Sequence, residues 1–445
     1  MEKTGSFTKN SLMTIGSQGI IILFGMGSSI IVARALNPEG KGIYTMAVLL
    51  PAFLMSFVNG GIGLAALYFT GNRKYEPQVI LGNSIIAACT HSLLAIVVGF
   101  IIITFFQDQI FPGIAYRYLI VALLIVPFQV ILSFLLPMML GLQEVFSYNI
   151  FQVLYSVSIF TMVVFLLIGL DTGVIGAIST ELLSGFLFSV VLCMMLIKKT
   201  KGISFSINKA YLIDAYRYGA KLYIGGLLFL LSNRINLILI NRFLTPATVG
   251  VFTIGLGLVE KGWLVADAIG VILFSRIASK EEGNNEDDFI ALIFRTTTLI
   301  MVFIVIPLYF WGGRLIVLLY SPSFQSAVDP FQILLPGLIA SSGWRIIENA
   351  LNGRGNPGSA ALLMVVSLVA NVTLNLILIP IAGLNGAAWA TSLSAVVTLL
   401  SAIYVFCRIS GQMRMQFVMI NKNDLILCKQ LISSLVTNLR SIIIK

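Results

Sequence analysis

Residues Ile30–Thr45 read IIVARALNPEGKGIYT, and residues Ile238–Thr253 read ILINRFLTPATVGVFT. At an offset of 208, six positions coincide: Ile30/Ile238, Arg34/Arg242, Leu36/Leu244, Pro38/Pro246, Gly42/Gly250 and Thr45/Thr253. A second match closes each half, where Gly173, Gly176 and Ala177 align with Gly383, Gly386 and Ala387 at an offset of 210. A small insertion explains the change of offset. In both copies an apolar run stops at turn residues and a second apolar run begins. The chain is therefore read as two related halves made of the same kind of apolar segment.

The composition says what those segments are. Of 445 residues 58% are apolar and 10% charged, against roughly 25% charged in an ordinary soluble domain. The mean hydropathy is +0.99. A soluble protein of this size cannot hide so much apolar surface, which excludes a soluble enzyme, a disordered chain and a secreted disulfide scaffold. The four cysteines (Cys89, Cys193, Cys407, Cys428) are scattered, so neither a disulfide framework nor a zinc site is indicated.

A spanning helix needs about 20 mostly apolar residues. Twelve stretches qualify: 13–36, 43–70, 79–106, 117–141, 147–170, 174–197, 217–242, 248–274, 291–312, 330–352, 360–381 and 386–408. Short connections separate them, with turn residues at Asn37-Pro38, Gly71-Asn72, Pro112-Gly113, Asp171-Thr172-Gly173 and Asn356-Pro357-Gly358. The first stretch is too long for a signal-peptide core and is expected to be retained. The sequence thus predicts an all-α polytopic membrane protein of twelve transmembrane helices, in two six-helix bundles. The bundles are assigned to residues 1–200 and 201–410, with a tail at 411–445. Six is an even number, so both copies enter the membrane in the same direction, a parallel repeat about the membrane normal.

Lys and Arg orient it. With the N-terminus cytoplasmic, that side carries Lys3, Lys9, Arg73, Lys74, Lys198, Lys199, Lys201, Lys209, Arg276, Lys280 and Arg354, and in the tail Arg408, Arg414, Lys422, Lys429, Arg440 and Lys445. The other side carries Arg34, Lys41, Arg117, Arg242 and Arg314. That is 17 against 5, a positive-inside bias that places both termini in the cytoplasm. The formal charge of +10 follows from these loops, and no nucleic-acid partner is implied. In the tail Leu425, Cys428, Ile432, Leu435, Leu439 and Ile442 recur at helical spacing. They fit either a helix lying on the membrane surface or a frayed end.

No GxxxxGK[ST] or HExxH motif occurs, and His91 is the lone histidine. ATP-driven pumping and zinc chemistry are not indicated, no cofactor is expected, and the chain is read as a non-enzyme. The stretch Gly60-Gly61-Ile62-Gly63 lies inside a helix and reads as a close helix contact or a flexible point. Pro51, Pro127, Pro137, Pro307 and Pro336 fall within spans, where a proline kinks a helix.

The informative residues are ionisable groups inside the spans. Each costs about 2.5–3.5 kcal/mol at a helix centre and needs a partner or a wet cavity. The seventh span carries Arg234 among Asn233, Asn236 and Asn241. The eighth carries Glu260, Lys261 and Asp267, the tenth Arg345 and Glu348, and the sixth Glu181. Glu260 and Lys261 lie roughly 20 Å along their helix at 1.5 Å per residue. Being adjacent, they point different ways and need separate partners. Arg345 and Glu348 are three apart and could pair on one face. The halves are unequal: Arg234, Glu260 and Lys261 correspond to Met26, Ala52 and Phe53. Cations confined to one half suit a phosphate-bearing lipid, whose head group they could hold.

The pattern R-x-L-x-P-x-x-x-G-x-[YF]-T at Arg34–Thr45 and again at Arg242–Thr253, with the GxxGAAxAT-like segment at Gly383–Thr391, resembles the Wzx-type polysaccharide-biosynthesis flippases. These belong to the multidrug/oligosaccharidyl-lipid/polysaccharide exporter superfamily. The resemblance implies two bundles around a V-shaped central cavity. It also implies an undecaprenyl-diphosphate-linked oligosaccharide moved by alternating access from the cytoplasmic to the outer leaflet of a bacterial inner membrane. The products would be O-antigen, capsule or exopolysaccharide. Arg234, Lys261 and Arg345 would then attract the diphosphate, while Glu260, Asp267, Glu348 and Glu181 tune those charges or bind a coupling ion. A glycan polymerase and glycosyltransferases are candidate partners beside the lipid bilayer. Two alternatives stay open: a cation-coupled multidrug exporter of the same superfamily, and a non-transporting scaffold for glycan-assembly enzymes. Against the exporter, residues 16–36 hold no acidic residue, where drug-extruding relatives often have one.

Overall fold

Asn37 has φ 57° and ψ 178°, a conformation far from the helical region. Pro38 follows and disfavours the helical conformation in the residue before it. The first long helix is therefore broken where the repeat motif turns. In a computed structural model, which describes residues 2–279 and 286–411, the helices run α1 Glu2–Val58, α2 Ile62–Gly71, α3 Pro77–Ile110, α4 Tyr116–Leu123, α5 Val126–Gly141, α6 Val145–Val163, α7 Gly173–Lys199, α8 Lys209–Phe243, α9 Pro246–Ala278, α10 Glu286–Tyr320, α11 Val328–Gly353 and α12 Pro357–Ser410. A π turn, Val164–Gly169, extends α6. No strand occurs among the described residues. The amphipathic tail expected at 411–445 lies outside them, apart from Gly411.

Each predicted span falls on helix. Among the described residues, seven helices are long and apolar enough to cross a membrane, and eight when the bent pair making up α8 counts as one. Two of the seven are broken in the middle, α1 at Asn37 and α12 at Gly383, and dividing them gives ten segments. The more polar α9 and α11 have spanning length as well, which brings the number of long segments to twelve. Gly383 (φ 59°) breaks α12 where its repeat partner Gly173 (φ 62°) precedes α7, so the repeat is visible in the backbone as well as the sequence. Both need a positive φ, which glycine adopts freely.

Prolines take two roles. Pro77, Pro127 and Pro357 stand in the first turn of α3, α5 and α12, where the missing N–H removes no helical hydrogen bond. Pro127 follows the break at Leu124–Ile125 inside the span Tyr116–Gly141, the interruption expected of a proline within a span. Pro51, Pro137, Pro307, Pro336 and Pro380 lie inside helices.

The chain packs as two units. The first holds residues 1–230 with Leu244–Gly250, the second Leu231–Phe243 with residues 251–445. The boundary falls inside α8 because the early part of that helix buries Tyr211 and Ala215 in the core of the first unit, against Leu81, Met138, Met139, Leu192 and Leu196. In the second unit Phe324, Phe331, Ile346, Ile347, Leu351 and Phe406 are fully or almost fully buried. Many large apolar side chains point outward instead, among them Leu23, Phe105, Phe310 and Ile381, each 69–76% exposed. A helical protein with its apolar side chains on the outside is built for lipid as its solvent.

Two glycine contacts hold the first unit. The Gly60-Gly61 step separates α1 from α2 with φ 57° and 73°, and a Cβ on Gly61 would lie 2.6 Å from the Gly219 carbonyl carbon of α8. In the segment 244–250 the motif glycines meet reciprocally. Gly42 lies against the carbonyl of Pro246, and Gly250 against that of Pro38. A side chain at either glycine would collide with backbone, which explains why the repeat keeps Pro and Gly at these places.

Candidate functional site

The polar residues of the second unit converge on one cavity inside the bundle. Ser232, Asn233 and Asn236 enter it from α8, Trp263 from α9, Ser341 and Arg345 from α11, and Asn371, Thr391 and Ser394 from α12. Hydrogen bonds knit its wall. Ser232 donates to Ser367 at 3.0 Å, the Trp263 indole N–H to Ser341 Oγ at 2.9 Å, and Asn371 Nδ2 to Ser394 Oγ at 3.3 Å. Asn375 Nδ2 donates to Asn371 Oδ1 at 3.0 Å. Asn236 Oδ1 and Asn375 Oδ1 are buried and accept no hydrogen bond among the described residues. Buried acceptors are seldom left so, and Asn236 offers the cavity a hydrogen-bond acceptor.

Six of the seven charged residues singled out by sequence lie in this unit. Arg345, only 8% exposed, forms an ion pair with Asp267 of α9. Its guanidinium also sits 4.6 Å from the ring centroid of Trp263 and 5.7 Å from that of Trp344. Such stacking is favourable for a planar cation with little water around it. Glu348 is half-buried in the field of both Arg345 and Asp267. Spacing along the helix leaves Glu348 a candidate partner of Arg345, and the structure adds the reach across to Asp267 of α9. Arg234 meets Glu260, with Nη1–Oε1 at 3.1 Å and Nη2–Oε2 at 3.5 Å. Lys261 points away from that pair and is exposed, as adjacency on a helix requires.

Glu181 belongs to the first unit. Its Oε1 accepts a hydrogen bond from Tyr44 OH at 2.8 Å. Lys41 stands 5.1 Å from the Tyr44 ring centroid. Lys41 is 8% exposed and lines a second cavity with Tyr44, Ser28, Ser29 and Ser156. Sequence reading placed Lys41 in an outer loop. The repeat carried the missing signal: at the 208 offset Lys41 corresponds to Val249, an apolar residue that is 0% exposed. His91 is hydrogen-bonded on both ring nitrogens, by the Val58 carbonyl and by Tyr216 OH at 2.7 Å, a satisfied interior histidine.

At the ends of the first unit the charges are paired in the open. Lys199 holds Glu144 at 2.7 Å, and this hydrogen bond, with a second from Ser147, keeps the Glu144 carboxyl below the usual carboxylate range. Lys74 meets Asp214 at 2.5 Å, and that bond raises the lysine above its ordinary value.

A lipid-facing helical exterior around a polar, charge-bearing interior defines a multi-pass membrane protein of the transporter kind. The chain belongs to the polysaccharide biosynthesis protein family, whose profile matches residues 7–260, more than half its length. A curated relative from Haloferax volcanii, described as probable low-salt glycan biosynthesis flippase Agl15, is 29% identical over 203 residues, covering 44% of this chain and 42% of that protein. The match thus spans less than half of that relative. Among solved structures, the lipid II flippase MurJ in an inward closed conformation is similar with a TM-score of 0.70 at 15% identity, covering 96% of this chain and 93% of that one. An inward-facing multidrug resistance MATE family transporter of the MOP superfamily gives 0.68 at 16% identity, covering 89% and 98%. At these identities the likeness is one of fold: this chain has the fold of that superfamily.

Proposed function

We propose that the protein is a flippase of glycan biosynthesis. It moves an undecaprenyl-diphosphate-linked oligosaccharide across the cytoplasmic membrane, from the cytoplasmic to the outer leaflet, by alternating access. Both termini are cytoplasmic, and the two repeats, 1–200 and 201–410, each supply six spanning helices. The product is O-antigen, capsule or exopolysaccharide.

The observation that carries this reading is Arg345 set beside Trp263 and Trp344 and paired with Asp267 at the cavity of the second unit. An oriented guanidinium can exchange a carboxylate for phosphate oxygens, and indole faces beside it suit a sugar ring. Arg234 and Lys261 add positive charge; Glu260, Asp267 and Glu348 keep the cations neutralised when no substrate is bound. Glu181, hydrogen-bonded to Tyr44 near Lys41, is the candidate coupling group. The name of the Haloferax relative, a glycan biosynthesis flippase, supports the same reading.

The test is transbilayer movement of a defined polyprenyl-diphosphate oligosaccharide in liposomes carrying the purified protein, with and without a proton or sodium gradient. Movement above protein-free liposomes is expected. Efflux of amphipathic drugs without movement of the glycan lipid would replace this reading with a multidrug exporter.

A further inference from the structure

In the first unit, α2 and the early part of α8 run together and open a cleft beside the basic loops. The close approach of Gly61 to Gly219 sets their spacing. It stacks Tyr68 of α2 on Tyr218 of α8, with ring centroids 4.3 Å apart and an interplanar angle of 15°. Tyr68 remains 45% exposed, so one face of the stack is open. Lys74 lines the cleft, 2.5 Å from Asp214 and 5.6 Å and 5.4 Å from the ring centroids of Phe69 and Tyr75. The Tyr75 hydroxyl donates to the same Asp214 oxygen at 2.7 Å. Arg217, one residue before Tyr218, is exposed and lines the cleft with Asn72.

Each feature alone is ordinary. Tyrosines collect at membrane interfaces, and an exposed ion pair contributes little to stability. Together they make a mixed surface: an open aromatic face, a guanidinium, an ammonium, a carboxylate and a carboxamide. A sugar ring offers an apolar face to stack and hydroxyls for the carboxylate and carboxamide. Phosphate oxygens suit the guanidinium and ammonium. A phospholipid head group would use the cations and leave the aromatic face and the acceptors idle.

We infer that this cleft receives the glycosyl-diphosphate head group of the lipid-linked glycan at the membrane surface, before transport. The inference rests on the flippase reading. It adds a binding site in the first unit, separate from the charged residues of the second.

The experiment uses full-length protein in phosphatidylcholine nanodiscs and two probes: a short-chain prenyl diphosphate carrying a disaccharide, and the same diphosphate without sugar. Tyr68→Leu is expected to weaken the disaccharide probe by roughly two- to twelvefold, the range of about 0.5–1.5 kcal/mol for an aromatic contact, and to leave the sugar-free probe unchanged. Tyr68→Phe keeps wild-type affinity, and Arg217→Gln weakens both probes. Wild-type affinities in Tyr68→Leu and Arg217→Gln overturn the inference. So does an equal loss of both probes in Tyr68→Leu, or an Arg217→Gln effect confined to phosphatidylglycerol vesicles, which would make the cleft an anionic-lipid contact. Binding is read without transport. Wild-type protein that binds but moves no lipid defeats the flippase reading alone; protein that moves lipid while both variants bind normally defeats the cleft alone.

Discussion

Arg234 and Glu260 face each other across α8 and α9 through two contacts, at 3.1 Å and 3.5 Å, while the neighbour Lys261 is turned outward. Their side chains are 38% and 20% exposed, so the pair is only partly desolvated. Arg234→Gln should cost about 1–2 kcal/mol by stranding the carboxylate, less than the 3–5 kcal/mol of a broken buried pair. Adding Glu260→Gln should restore most of that stability and leave glycan-lipid transport impaired, because the cation is still missing. Thermal unfolding in detergent and the liposome assay measure the two effects separately. Recovery of both would make the pair purely structural.

Arg345 tests the planar cation. Arg345→Lys keeps the charge but loses the fork toward Asp267 and the stack on Trp263. Transport in liposomes should fall roughly tenfold, with folded yield little changed. A lysine variant with wild-type rates would show that charge alone suffices there.

Gly219 is predicted to tolerate no side chain. A Cβ there would lie 2.5 Å from the Gly60 carbonyl oxygen and 2.7 Å from the backbone of Gly61, and backbone cannot step aside cheaply. Gly219→Ala should destabilise the protein by about 1–3 kcal/mol. Gly225→Ala, six residues on in the same helix and with open space around it, should be neutral or gain up to about 1 kcal/mol from helix propensity. Melting temperatures of the two variants, compared by fluorescence-detected size exclusion, decide the matter.

Glu144 gives a pH dependence with a definite sign. Hydrogen bonds from Lys199 and Ser147 lower its carboxyl below the ordinary 4.5. A depressed acid contributes stability above its unfolded value and loses it as the pH falls through the folded value. Acidification below about pH 4.5 should therefore remove a small increment of stability from the wild type that Glu144→Gln already lacks. Parallel melting curves across that range would expose the idea as wrong.

Much of the fold was legible because lipid imposes a simple rule on sequence: long apolar runs, short turns, and charges sorted by side. The break at Asn37-Pro38, the paired glycines Gly173 and Gly383, and the twelve stretches all follow from local chemistry. What sequence could not give was pairing across distance. Arg345 finds Asp267, 78 residues away, and Tyr44 finds Glu181, 137 away; nothing in either neighbourhood names its partner. Lys41 looked like a loop cation because it follows a proline turn, yet the helix resumes at once and takes it inside. The Tyr68–Tyr218 stack joins residues 150 apart in sequence and left no trace in either motif.

The indoles around Arg345 have an optical consequence. The chain has four tryptophans, Trp263, Trp311, Trp344 and Trp389, and each belongs to the second unit. Tryptophan emission from the native protein therefore arises in the second unit alone. Two of the four emitters flank the guanidinium at the cavity, so a ligand arriving there would report itself in the spectrum without a label. A single tryptophan placed at Tyr68 would give the first unit a signal of its own.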